Sequence, residues 1–213
     1  MGMRLGLIGL LLSVALGGPA SAHPHVFIDG QFGFKFDTDG KLSAIQVTWA
    51  YDAFSTLQLM EALDLDKDRD GALDDADRAR IVTVQTTWPE GFEGDTYLEQ
   101  DGDRLQLWEP VEQSAWMTDT QIHVSFDLPL VEAIDPQGDI VLRAYDPTYY
   151  FAYTVVGLED GLREGCRAEI IPFKQDKATA AILVQLSQLS QEETPEDGNV
   201  GRGFADEIRL TCD

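Results

Sequence analysis

Twelve consecutive residues, Asp66-Lys67-Asp68-Arg69-Asp70-Gly71-Ala72-Leu73-Asp74-Asp75-Ala76-Asp77, prescribe a local shape more tightly than any other part of the chain. Their spacing matches an EF-hand loop, with Asp66, Asp68 and Asp70 at the first, third and fifth places and Gly71 at the sharp turn. Ala72 offers its carbonyl at the seventh place, Leu73 falls on the apolar eighth that anchors the loop, and Asp74 occupies the ninth. Such a loop needs a helix on each side. Asp52 reads as a helix cap, and Ala53 to Leu65 has helical composition with Phe54, Leu57, Leu59, Met60 and Leu63 as its apolar members. A second helix is predicted from Asp75 to about Thr86, stopping before Trp88-Pro89. The stretch 52–87 is thus an EF-hand-like helix-loop-helix insert.

Carboxylates packed this closely repel one another, and a hard cation such as Ca²⁺, which takes six to eight oxygens, relieves that repulsion. The twelfth place holds Asp77 where the motif usually has Glu. Asp is one methylene shorter, so calcium affinity falls to a Kd on the order of 10⁻⁴ to 10⁻³ M and Mg²⁺ competes better. With a single loop in view, the reading is a structural clip rather than a switch.

Outside the insert the grammar is that of antiparallel sheets. Val26 to Phe36 and Leu42 to Trp49 flank Asp39-Gly40 as a hairpin, and Asp101-Gly102 marks another between Tyr97 to Gln100 and Arg104 to Trp108. Gln121 to Leu128 alternates, with Ile122, Val124, Phe126 and Leu128 on one face and His123 with Gln121, Ser125 and Asp127 on the other. Strands are also predicted at Ile140 to Tyr145, Tyr150 to Val156, Cys166 to Ile171 and Phe204 to Leu210, with a C-terminal helix from Lys174 to Gln191. Tyr145, Tyr149, Tyr150 and Tyr153 around Asp146-Pro147 read as core and turn residues. The fold class is α+β: a mainly antiparallel β-sheet domain, 23–213, with the inserted helix pair and the C-terminal helix.

The first 22 residues read as a cleavable signal peptide. Arg4 supplies the positive end, Leu5 to Leu16 an apolar stretch too short for a stable span, and Ala20-Ser21-Ala22 the cleavage site. The product is expected to be exported and not membrane-spanning. Its charge excludes some partners: 15 Lys and Arg stand against 38 Asp and Glu, a net of -23. Phosphate backbones and anionic lipid would repel such a surface, so nucleic acid is not an expected partner, whereas cations suit it. Cys166 and Cys212 are the only cysteines, an even count in an oxidising compartment, and are expected to form a disulfide.

Cleavage after Ala22 would put His23 at the amino terminus with His25 two residues on. The amine and the two imidazoles are nitrogen donors suited to Zn²⁺, Ni²⁺ or Cu²⁺. Pro24 has no amide hydrogen to lose, which rules out the chelate that uses a deprotonated second amide. His123 is the only other histidine and is a weaker candidate for the same centre. No nucleophile elbow, Gly-rich phosphate loop or Cys-x-x-Cys spacing is present, so no catalytic residue is assigned and the chain is not read as an enzyme.

His23-Pro24-His25-Val26, Val47-Thr48-Trp49, the DxDxDG loop, Tyr145-Asp146-Pro147-Thr148-Tyr149-Tyr150 and Leu210-Thr211-Cys212 together resemble the bacterial domain-of-unknown-function 1007 family over nearly the whole mature chain. That resemblance implies a periplasmic component of an ABC-type, metal-associated transport system, with an inner-membrane metal permease or exporter as partner. Three functions follow as expectations. The leading one is a divalent-metal-binding accessory protein with one calcium loop. The others are a copper-dependent oxidative enzyme with an N-terminal histidine brace completed by His123, and a calcium-stabilised envelope binding module.

Overall fold

The computed structural model describes residues 24–190 and 193–213. The leader expected at 1–22 and His23 lie outside the described residues.

Two five-stranded sheets enclose one apolar cluster. The first is ordered β5-β6-β2-β1-β8, built from β1 (Val26–Phe36), β2 (Leu42–Tyr51), β5 (Val111–Thr118), β6 (Gln121–Ile134) and β8 (Phe151–Leu158). The second is ordered β4-β3-β7-β10-β9, from β3 (Thr96–Gln100), β4 (Asp103–Arg104), β7 (Ile140–Ala144), β9 (Cys166–Ile171) and β10 (Glu207–Cys212). Every pairing is antiparallel except β1 with β8, which run parallel.

Alternation decides which side chains meet. Ile28, Phe32 and Phe34 of β1, Ile45, Val47 and Trp49 of β2, and Ile122, Val124, Phe126 and Leu128 of β6 point inward and are buried. From the second sheet the row Leu98, Leu142 and Ile208 joins the same cluster through the registers Leu98↔Leu142 and Leu142↔Ile208. Burying one such aliphatic side chain contributes about 1.5–3 kcal/mol, so this interior dominates the favourable side of folding.

Among the described residues three α-helices complete the fold. α1 (Ala53–Ala62) is capped by Asp52, whose carboxylate accepts from the Phe54 and Ser55 amides. α2 (Asp75–Thr86) starts with a capping box in which Asp74 accepts from the Asp77 amide. The pair packs against β5 and β6, with Leu65, Leu73 and Ile81 entering the main cluster. Thr56 Oγ1 also accepts the Ile122 amide at 3.0 Å, tying α1 to β6. α3 (Lys177–Leu186) has its own box between Asp176 and Thr179 and packs Leu186 with Val200 and Phe204 in a separate small cluster.

The structure corrects the sequence reading at several boundaries. β5 was not predicted: Ala115 is its one fully buried residue, while Val111 and Trp116 are exposed, so this edge strand lacks a clean alternation. The expected strand Arg104 to Trp108 shrinks to two paired residues, with Leu107 making only an isolated bridge to Leu130. The C-terminal helix is shorter than Lys174 to Gln191, because Asp176 caps it at Lys177. The last strand starts at Glu207 rather than Phe204, since Val200–Phe204 form a 3₁₀ turn.

Candidate metal centre

The connection between α1 and α2 bends through left-handed residues at Asp64, Asp66, Arg69 and Gly71. Gly71, at φ +81°, occupies the place where a side chain would be strained. The tight path gathers Asp66, Asp68 and Asp70, whose carboxylate oxygens lie within 4.8 Å of one another. Asp66 Oδ1 accepts the Asp70 amide at 2.9 Å, and Asp70 Oδ1 accepts the Ala72 amide at 2.9 Å, so these two carboxylates are held by the loop's own backbone.

The other expected ligands stand apart from that trio. Asp74 is engaged as the cap of α2, accepting the Asp77 amide at 2.7 Å. Asp77 is buried, and its Oδ2 accepts the Asp66 amide at 3.2 Å and the Asp74 amide at 3.3 Å. It therefore closes the loop's two ends on each other. The donors are all hard oxygens, a set suited to Ca²⁺ or Mg²⁺ rather than to thiophilic ions.

The histidines are distributed differently. His25 precedes β1, donates its backbone N–H to the Tyr150 carbonyl at 2.8 Å, and sets its ring 4.7 Å from that of Tyr150. His123 lies on the outer face of β6, opposite Ala50 of β2, which in turn faces Asp29 of β1. It stacks on Trp116 at 5.2 Å, and partial burial lowers its pKa. Two strands and four residues separate His123 from His25, roughly 16 Å at ordinary sheet spacings. The register thus keeps His123, the weaker candidate for that centre, away from His25.

Cys166 and Cys212 are bonded and directly opposed in the β9–β10 ladder. Among the described residues no helix is long and apolar enough to cross a membrane.

A second feature was not assigned from sequence. A cleft of about 310 Å³ lies between the first sheet and the end of α2 with the segment after it. Ile28, Tyr51 and Tyr153 stand side by side across β2, β1 and β8 at its base. Trp88 and Phe92 contribute from the segment after α2, their rings edge to face at 5.4 Å. Gly94 permits this arrangement, because a Cβ there would lie 2.3 Å from the Trp88 ring. Two buried carboxylates, Asp95 and Asp146, complete the lining.

Tyr153 donates its hydroxyl to Asp95 Oδ2 at 2.9 Å. Burial raises the Asp95 pKa to about 7; the Tyr153 hydrogen bond opposes this and the Asp146 charge adds to it. Asp146 plays another part, accepting the amides of Thr148, Tyr150 and Phe151 and the Thr148 hydroxyl. The signal available in sequence was the tyrosine cluster around Asp146-Pro147. Nothing in its spacing pointed to Asp95, fifty residues earlier in an irregular segment.

The fold and this loop define a class: a disulfide-bonded, two-sheet α+β protein with an acidic turn between two packed helices. The chain belongs to the family described as protein of unknown function (DUF1007), whose model matches residues 8–212. It is also similar to an uncharacterized protein of Haemophilus influenzae, 26% identical over 218 residues that cover 97% of each chain.

Proposed function

We propose that the protein is a periplasmic, non-enzymatic divalent-metal-binding accessory of a metal transport system, clipped by one calcium ion in an EF-hand-like loop. The observation that carries the calcium part is the gathering of Asp66, Asp68 and Asp70 within 4.8 Å by a loop with EF-hand spacing. When bound, the cation would neutralise these carboxylates and cross-brace α1 and α2; Asp66, Asp68, Asp70 and the Ala72 carbonyl are the residues to hold it. Asp74 and Asp77 would contribute through water or after a side-chain turn, since both are occupied by backbone amides in the described geometry.

The transport part rests on family resemblance and on the pair His23 and His25 as a nitrogen-donor site for Zn²⁺, Ni²⁺ or Cu²⁺. The partner would be an inner-membrane permease or exporter. The alternative copper brace would pair the amino-terminal His23 with His123, whose ring stacks on Trp116.

Calorimetric titration of the processed protein tests the calcium reading. It should give one site with a Kd on the order of 10⁻⁴ to 10⁻³ M, abolished by Asp66→Ala. Absence of heat up to about 5 mM Ca²⁺ would refute it. For the histidines, elemental analysis should find Zn, Ni or Cu that disappears when the amino terminus is blocked. Metal retained after replacing both His23 and His25 by Ala would overturn that assignment.

A further inference from the structure

We propose that the cleft between the first sheet and the end of α2 binds a small organic ammonium ion, with Asp95 as its counter-charge and the surrounding aromatic rings as its walls. A buried carboxylate is costly unless something compensates its charge. Asp95 is only 4% exposed, its one neighbouring charge in the lining is another carboxylate, and no Lys, Arg or His lines the cleft. Tyr153 supplies a single neutral hydrogen bond. A perturbed acid of this kind inside a concave site is a mark of function rather than of packing.

The walls select the kind of cation. Trp49, Tyr51, Trp88, Phe92, Phe151 and Tyr153 all face the space. Aromatic faces attract ammonium groups and accommodate their alkyl parts, contributing about 0.5–2 kcal/mol per contact. A metal ion fits poorly. Asp146 already accepts four internal hydrogen bonds, one Asp95 oxygen is taken by Tyr153, and neither His nor Cys is present in the lining. Ca²⁺ would need six to eight oxygens that this cleft does not offer.

The surroundings of the cleft agree. A neighbouring groove shares Trp88, Pro89 and Phe92 with the cleft and carries Glu90, Glu93, Glu109 and the exposed Trp108. Acidic and aromatic character therefore continues outward from the buried carboxylate. A chain of net charge -23 concentrates cations around such an opening.

The test uses the full processed chain, with n-butylammonium as probe and n-butanol as its neutral counterpart, followed by tryptophan fluorescence and calorimetry at constant ionic strength. Butylammonium should bind saturably and at least about tenfold more tightly than butanol. Affinity should drop about tenfold from pH 8 to pH 6 as Asp95 takes a proton, the other titratable groups facing it being Asp146, Tyr51, Tyr97 and Tyr153. Asp95→Asn should cost about tenfold or more while leaving the protein folded, and Phe92→Ala, at a 40% exposed position, should weaken binding severalfold. Asp66→Ala should leave butylammonium binding intact, which separates this site from the calcium loop. Equal binding of butanol, no saturation by about 50 mM, or unchanged affinity in Asp95→Asn would overturn the proposal. So would displacement of butylammonium from the cleft by Ni²⁺ or Ca²⁺ at millimolar concentration.

Discussion

Asp95 ties stability to pH in a direction opposite to that of an ordinary paired carboxylate. Burial raises its pKa to about 7 when folded, against an ordinary 3.8, so the native state binds the extra proton between those limits. Stability then falls as pH rises from about 4 to about 7 and levels off above, by on the order of 2–4 kcal/mol from this group alone. Denaturant melts of wild type and Asp95→Asn across that range check this, the variant losing the slope and becoming the more stable at pH 8. Asp77 offers a second handle. Restoring the usual acid with Asp77→Glu lengthens the side chain toward the trio and should tighten calcium binding about tenfold by calorimetry, whereas Asp77→Ala should cost about 1–2 kcal/mol without calcium by removing the loop closure. At this scale sequence spacing was informative only where ligands are local. Asp66, Asp68 and Asp70 were legible because they fall within five consecutive residues. Asp95, Tyr153 and Trp88 are joined by tertiary packing, which leaves no periodic trace.

Among the elements, the Cys166–Cys212 link joins directly paired residues of β9 and β10 and closes a separation of 46 residues. On the chain-entropy account that loop stabilises the fold by about 4 kcal/mol, so the Cys166→Ser, Cys212→Ser double variant should melt well below wild type in a thermal scan. Asp52 was readable as a cap, and both helices start where expected, at Ala53 and Asp75, although Asp74 was read as a loop ligand and not as the cap it forms. The Asp39-Gly40 turn likewise announced the β1–β2 hairpin. β5 was not readable. Its inward surface is reduced to Ala115 and the half-buried Met117, and a strand with so little to bury has no hydrophobic rhythm. α3 was overestimated because Asp176, inside the expected Lys174 to Gln191, serves as its N-cap and Ser187 as its C-cap.

For the molecule as a whole, the acidic excess is a destabilising field spread over both sheets and the helix pair. Raising NaCl from about 0.02 to about 0.3 M in the presence of a chelator should increase the melting temperature by a few degrees, since screening shortens the reach of that repulsion. The class of fold followed from composition and alternation, because antiparallel neighbours with one buried face impose a two-residue period. Which strands pair across long separations did not, and the parallel contact of β1 with β8 is the clearest case.

That contact carries a lesson for how the polypeptide is assembled. β1 is bordered on one side by β2, a close neighbour in the chain, and on the other by a segment beginning at Phe151, more than a hundred residues downstream. Until that distant partner arrives, the earliest strand presents a bare rim of amides and carbonyls, so a fragment ending at residue 150 should self-associate where the intact polypeptide stays dispersed.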